Sequence, residues 1–567
     1  MQKIVLIICL IRCLSINASG LGDVVFSEVM ADPEPSVALP EVEYLEIYNR
    51  TNQNISLNGW ILFSGDKSYP LPVCNISANG YLILCPQSGS AEFSKDINMA
   101  IMNSFPALPN NGKTIYLVDS KNTLMACLEY DYSWYGSGFK SQGGWSLECK
   151  DTENLSGEKQ NWTSSKDISG GTPGKLNSVQ TSNPDTILPF LERLYVPDSG
   201  MLELNFSKMI DIELLNDENS FFFEDASNIV VKSEPEFPAY RSVYLKLSDL
   251  IISGKIYELK IRDIKDISGN LLADTSIFFS LPMPPDSFCL SINEIMFNPT
   301  PAGCDYIEFV NSSDKCIDLS EVWISNRNEQ GELNEGCRLS EKPLPCLPGS
   351  YWLISVNADT VFNQSKISPS PNHIDISKMP SLPDDMGNIV LLSTNSKIID
   401  EATYDDKMHF MLISYPEGVS LEKINPKLSS LNTDSWMSAS SVSGYGTPGY
   451  VNSQFREISY VPNDDFVFTD NVWLSPDNDG INDFVTITVI PPEPGIAGIT
   501  IYDINGREVR KAASNCFVGS DERFFWDGKD GNGNLVKFGK YVVFASYFSP
   551  NGKSLNKRFV LSVLMKE

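Results

Sequence analysis

One internal repeat constrains this chain more than any other feature. FSEVMADP (26–33) returns as INEIMFNP (292–299), EYLEIYN (43–49) as DYIEFVN (305–311), and GYLILC (80–85) as SYWLIS (350–355). SLE at 146–148 returns at 420–422, Trp162 as Trp436, and GTPGKLNS (171–178) as GTPGYVNS (446–453). Order and approximate spacing are both kept, so one domain occurs twice, over 21–178 and 288–453. Each copy is a series of short runs, such as VVFSEVM, LNGWILF and KTIYLVD in the first. β-Branched and aromatic residues dominate these runs, and turn clusters separate them. That pattern predicts an antiparallel β-sandwich.

The remaining segments read the same way. Residues 185–283 alternate at Leu202, Leu204 and Phe206 and again at Tyr257, Leu259 and Ile261, with a turn at Asp266-Ile267-Ser268-Gly269-Asn270. Near the C-terminus LSPDNDGINDF (474–484) feeds an alternating run, and WDGKDGNGNLVKFGKY (526–541) repeats the device of an Asp/Asn/Gly loop before a strand. A further domain is assigned to 466–567. Proline-rich LPMPPD (281–286) is a stiff spacer. At 567 residues the chain is too long for one core. The expected fold class is all-β: tandem Ig-like antiparallel β-sandwiches joined by short linkers. Residues 1–20 carry Lys3, an apolar stretch and Ala18-Ser19-Gly20, the pattern of a secretory signal peptide. No later apolar run is long enough for a membrane helix, so no transmembrane segment is expected after it.

Three resemblances follow from these motifs. The repeated copies, with I-x-E-I/V-M, D/E-Y-I/L-E, Leu57-x-Gly59-Trp60, S-L-E and G-T-P-G-x-x-N-S, resemble the lamin tail domain, an Ig-like sandwich. The second copy departs at Leu319-Ser320-Glu321-Val322-Trp323, where the Gly is lost. Residues 185–283 resemble bacterial Ig-like domains of the surface-layer type. Residues 454–567 resemble the gliding-motility-associated (type B) C-terminal sorting domain of Bacteroidota type IX secretion cargo. They match at Ser475, Pro476, Asp479, Gly480, Asn482, Asp483, Trp526, Asp527, Gly528, Gly539 and Tyr541, with Leu474 and Asp477 as departures. The last resemblance implies the type IX secretion machinery as a partner of 454–567 and a secreted or outer-membrane surface location.

Chemistry-bearing residues are few. The chain has two histidines, His373 and His409, so a Ser-His-Asp or Cys-His arrangement would need one of them. Neither sits in a catalytic motif. The repeat carries three glutamates per copy, Glu28, Glu46 and Glu148 with Glu294, Glu308 and Glu422. Converging, they could bind a cation; alternatively they hold backbone N–H groups as architecture. Asp477, Asp479 and Asp483 offer oxygen ligands at a Ca2+-like spacing without being an EF-hand, and Asp527 with Asp530 forms a second candidate. No cofactor is required. The ten cysteines outside the leader either pair or pack as small apolar groups. The net charge of −29 argues against nucleic acid. The expected function is a non-catalytic surface protein with an adhesion, scaffold or envelope role and an extracellular protein or glycan as partner. The alternatives are an extracellular nuclease- or phosphatase-like hydrolase, and a carbohydrate binder using Tyr130, Tyr132, Trp134 and Tyr135.

Overall fold

The computed structural model describes residues 20–136, 138–224, 228–410, 413, 415–456, 466–493, 495–518 and 522–564. The expected signal peptide lies outside them apart from Gly20. Nearly every element is a short strand, so the all-β expectation holds. The chain divides into two compact units. One comprises residues up to Arg193 with Met201–Asp249 and Glu258–Ile277; the other comprises Leu194–Gly200, Leu250–Tyr257 and Phe278 onward.

In the first unit the sandwich rests on β1 (Val24–Met30), β2 (Tyr44–Asn49) and β3 (Leu147–Cys149). These are the centre of a six-stranded sheet in the order 162–164, β3, β1, β2, 81–86, 99–102. A four-stranded sheet, 124–131, 112–118, 61–64, 67–70, packs on one face. Alternation sends Val29, Leu45, Leu82 and Leu84 into the core between the sheets with Trp60, Leu117 and Trp162. The opposite face is also covered, since Met30, Tyr44, Ile83, Cys85 and Phe93 form a second buried cluster.

The middle segment adds strands 230–235, 242–247 and 201–206, hydrogen-bonded in that order, to the same unit. Its Asp266–Asn270 turn closes around a buried cation. Lys208 Nζ pairs with Asp266 Oδ2 at 2.6 Å and also with Asp185. Asp266 Oδ1 takes the N–H groups of Ser268 and Asn270.

In the second unit β4 (Leu290–Met296), β5 (Tyr306–Asn311) and β6 (Leu421–Lys423) rebuild the first sheet. The order is 436–438, β6, β4, β5, 351–355, 373–375. Even the outermost pairing is parallel in both copies. The facing sheet, 337–338, 322–325, 386–393, 398–405, is likewise repeated. Two differences are local. Val322, not Trp323, fills the core slot of Trp60, because Leu319–Glu321 forms a 3-10 turn capped by Asp318 without displacing the register. A helix that strand patterning did not predict, Ala358–Ser365, covers the outer sheet face through Ala358, Val361 and Phe362. Its N-terminus is capped by Asn357, whose side chain accepts the Thr360 N–H at 2.8 Å.

The C-terminal domain has a five-stranded sheet, 473–474, 554–563, 539–548, 495–503, 508–518, and a three-stranded one, 467–469, 485–489, 522–526. Ile487, Ile499, Ile501, Val543 and Trp526 form its core. Ten cysteines are free thiols. Burial pushes those of Cys127 and Cys149 up to about 12, the behaviour of small apolar side chains rather than nucleophiles.

Candidate functional site

The three glutamates of each copy stand side by side. Glu28 on β1 lies opposite Glu46 on β2 and Glu148 on β3; Glu294, Glu308 and Glu422 repeat this on β4, β5 and β6. All six are fully buried on the outer face of the six-stranded sheet. A β-bulge just before the central glutamate occurs at the same place in both copies. It turns the preceding residue onto the same face. Ser27 Oγ thereby donates to Glu46 Oε1 at 2.7 Å, and Asn293 Nδ2 to Glu308 Oε1 at 2.8 Å.

The lid over each row is the repeated G-T-P-G-x-x-N-S segment. In the first copy Thr172 gives its N–H to Glu28 and its hydroxyl to Glu148, at 2.9 and 2.8 Å. Gly174 N–H donates to Glu46 Oε2 at 2.6 Å, Ser178 Oγ to Glu148 Oε2 at 2.7 Å. The second copy repeats this with Thr447, Gly449 and Ser453. Asn177 and Asn452 tie the segment down by donating to two carbonyls each, on β1 and β3 in the first copy and on β4 and β6 in the second. The motif's glycines have distinct reasons. A Cβ on Gly171 would stand 2.5 Å from Glu28 Oε1, while Gly174 and Gly449 need positive φ.

Burial sets the electrostatics. It raises the Glu28 carboxyl to about 7, with the neighbouring Glu148 charge adding to the effect. Burial, then the Glu28 charge, holds Glu46 well above the usual carboxylate range. In the second copy Glu294 is raised and Glu308 is raised further, again by burial first, and Glu422 reaches about 7. A row of this kind retains protons and pins a chain segment. It offers no opening to substrate. Of the two readings of these glutamates, the geometry is that of backbone and hydroxyl capture.

The acidic loops behave differently. Asp477, Asp479 and Asp483 each bring a carboxylate oxygen within 4.8 Å of the others, a set that could hold a cation. Asp483 is nevertheless engaged: it accepts the N–H groups of Asn478 and Gly480 at 2.7 and 2.8 Å. Asp477 takes the Asp479 N–H and Asp479 the Ile481 N–H. Asn478, Gly480 and Asn482 all have positive φ, which is why Asn and Gly recur here. The loop also leans on the second sandwich: Asn478 Nδ2 donates to the Ala439 carbonyl at 2.9 Å and Arg456 to that of Gly480. Asp527 and Asp530 have separate partners. Asp527 pairs with Lys529 at 2.7 Å and Arg510 at 3.5 Å, while Asp530 closes its own turn on the N–H groups of Asn532 and Asn534.

His409 is buried against Ser438 Oγ at 3.1 Å, and desolvation lowers it to about 4. His373 Nδ1 lies 2.8 Å from the Ser370 carbonyl oxygen. Of the four aromatics considered for sugar stacking, Tyr130, Trp134 and Tyr135 are buried, and only Tyr132 is exposed. Trp134 packs on Trp162 in the core, which removes its face from any ligand.

Residues 17–132 match the lamin tail domain family. No curated protein matches the chain. Among solved structures, the N-terminal part of the bacterial S-layer protein SbsC is similar at 13% identity, covering 39% of this chain and 44% of that one, with a TM-score of 0.16. The chain thus spans under half of that fragment. A tetra-tandem repeat from the extending region of a large adhesion protein is 10% identical, covering 96% of this chain and 100% of its own, with a TM-score of 0.13. A Ca2+-stabilized adhesin with which an Antarctic bacterium binds ice is 8% identical, with the same coverages and a TM-score of 0.11. Among the described residues no helix is long and apolar enough to cross a membrane.

Proposed function

We propose that this chain is an exported, non-catalytic modular protein of the cell surface, with an adhesive, scaffolding or envelope role. Its sandwiches space and present loops to an extracellular protein or glycan, and residues 454–567 address it to type IX secretion machinery. The observation that carries the non-catalytic part is the fate of the repeated carboxylates. The three glutamates repeated in each copy are fully buried and spent on holding each sandwich's last segment. Residues committed in that way specify architecture, and function then resides in what the loops present.

Protease shaving of intact native-host cells tests the proposal, comparing full length with a truncation ending at Ser453. Full length is cleaved from outside, and the truncation stays protected. Equal exposure or equal protection of both overturns the sorting assignment. Turnover of phosphodiesters with added divalent metal, abolished by Glu46→Gln or Glu308→Gln, would instead establish the hydrolase reading.

A further inference from the structure

The two sandwiches also differ at one equivalent groove. In the first copy it is floored by Val25, Ala126 and Cys149 and flanked by Gly22 and Gly157. Met209 and Ile267 of the middle segment line the same space, so the chain fills this groove with its own side chains. The shared registers place Ser291, Asp400 and Lys423 at the three floor positions of the second copy. Phe288 and Leu431 stand where the two glycines were. Three apolar floor residues have become a lysine, an acid and a hydroxyl, and the two flanking glycines have become a phenylalanine and a leucine.

The polar floor is built. Lys423 is 1% exposed and donates to Ser291 Oγ at 2.7 Å and Ser430 Oγ at 2.6 Å. Ser430 Oγ donates to Asp400 Oδ2 at 2.6 Å, and Asp400 Oδ2 also accepts the Ile292 N–H at 2.7 Å. Ser291 donates to the Pro426 carbonyl. Asp400 Oδ2 is thus doubly engaged, and Glu401, the other acid lining the groove, is held by a two-pronged pair with Arg327 at 2.7 and 2.9 Å. The third N–H of the Lys423 ammonium has no acceptor among the described residues. Desolvation lowers this amine to about 8, the cost of burying a cation whose partner acid is one hydroxyl away. The groove measures about 710 Å³ and is lined by Phe288, Leu290, Ile398, Leu428 and Leu431. Phe288, Ile398 and Leu431 are 80%, 41% and 55% exposed around it.

A buried charged network is a poor exchange for an apolar floor unless it meets something. We infer that the second-copy groove binds a small organic carboxylate with an apolar acyl or aryl body. The carboxylate accepts the unused N–H of Lys423, and the body covers Phe288, Ile398 and Leu431. The volume lies in the range of small-molecule sites, and apolar walls around a few converging polar groups are their usual chemistry.

Decanoate and decanol share one body and differ in the head group, so calorimetric titration of the full chain with each, below micellar concentrations, isolates the recognition of charge. Decanoate binds at least tenfold more tightly than decanol. Lys423→Met removes that preference and leaves decanol affinity unchanged. The triple variant Ser291→Val, Asp400→Ala, Lys423→Cys carries the floor with which the first copy already folds, and it loses the preference as well. Equal affinity for the two probes, a preference that survives in both variants, or no binding of decanoate overturns the inference.

Discussion

Gln454 closes the second sandwich and holds the domain that follows it. Its backbone N–H donates to Glu422 Oε2 at 2.9 Å, and its side-chain Nε2 donates to Asp483 Oδ2 at 3.0 Å. One residue therefore ties the buried glutamate row to the acidic loop that opens the C-terminal domain. Asp483 collects three donors in this position, and burial raises its carboxyl above the ordinary range in spite of them.

Asp483→Ala leaves those donors without an acceptor and melts the 474–484 loop. Hydrogen bonds to a charged group are each worth about 1.5–3 kcal/mol. Calorimetry of the full chain resolves an early transition of the C-terminal domain in this variant. Gln454→Ala costs less, about 1 kcal/mol, because only one of the three donors is lost. The loop closes on its own backbone, so a chelator leaves the same transition unmoved. A downward shift on chelation would establish a bound cation at Asp477, Asp479 and Asp483.

Gly171→Ala drives a methyl group between Glu28 Oε1 and Tyr44 Oη, at 2.5 and 2.8 Å from where Cβ must sit. Neither oxygen can retreat, because Glu28 is pinned by Tyr44, Ser146 and Thr172. The first sandwich loses about 1–3 kcal/mol to overpacking. The same change at Gly446 meets Tyr306 Oη at 2.7 Å and destabilises the second sandwich alone.

Acidity controls the glutamate rows with a definite sign. The folded-state value of Glu28, about 7, lies above the ordinary value of 4.5, so the folded chain binds more protons between these limits. Its contribution to stability is complete below pH 4.5 and is lost as pH rises toward 7; the Glu422 value of about 7 gives the second copy the same window. Denaturant midpoints measured from pH 4.5 to 8 fall across it, and Glu28→Gln flattens the part due to the first sandwich. His409 acts oppositely: its value is lowered to about 4, so its contribution is complete above 6.5 and lost as pH falls through 4.

Trp134→Ala removes a ring packed on Trp162 and destabilises the first sandwich by about 3–5 kcal/mol. Loss of polysaccharide binding in that variant would therefore report unfolding. Tyr132→Ala, at an exposed position, leaves the melting temperature unchanged and is the variant with which to measure glycan binding.

Lys208→Met leaves Asp185 and Asp266 buried without their shared cation. Removing one partner of a buried pair costs about 3–5 kcal/mol. Proteolysis of the first unit under native conditions becomes faster in this variant than in the unaltered chain.

Much of this was legible in the residues themselves. Alternation in EYLEIYN puts Glu46 on a face with Tyr44, and the repeat pairs Glu28 with Glu294. What escaped was nonlocal or broke the period. Ser27 and Asn293 join the row only because a bulge puts two successive residues on one face, and period-two reasoning assigns them to the other. The G-T-P-G-x-x-N-S segment was read as a repeat signature, but its role depends on a fold that returns it to β1. Its irregular composition, retained in both copies outside any strand, was the available signal. Helix Ala358–Ser365 is too short for a 3.6-residue period to emerge, although Asn357 and Asp359 mark its start. Lys423 was visible in the comparison of S-L-E-K with S-L-E-C; that its slot is buried was not. Val322 rather than Trp323 takes the slot of Trp60, because a motif aligned by its tryptophan ignores the one-residue phase that strand pairing enforces.

The lid over each glutamate row has a kinetic consequence. Thr172 reaches Glu28 across 144 residues, and Gly174 reaches Glu46 across 128. The groups that satisfy the first strands are thus the last of the domain to be synthesised. A chain emerging N-terminus first can pair β1 with β2 early, but it cannot dehydrate three carboxylates until their donors exist. Closure of each sandwich is therefore a late, high-contact-order event, slow by the logic of loop entropy. Until residue 178, and again until residue 453, the nascent sheet carries an unroofed acidic stripe. The stripe keeps water on a face that would otherwise be a sticky apolar surface, so the row that locks the finished domain also keeps the unfinished one open.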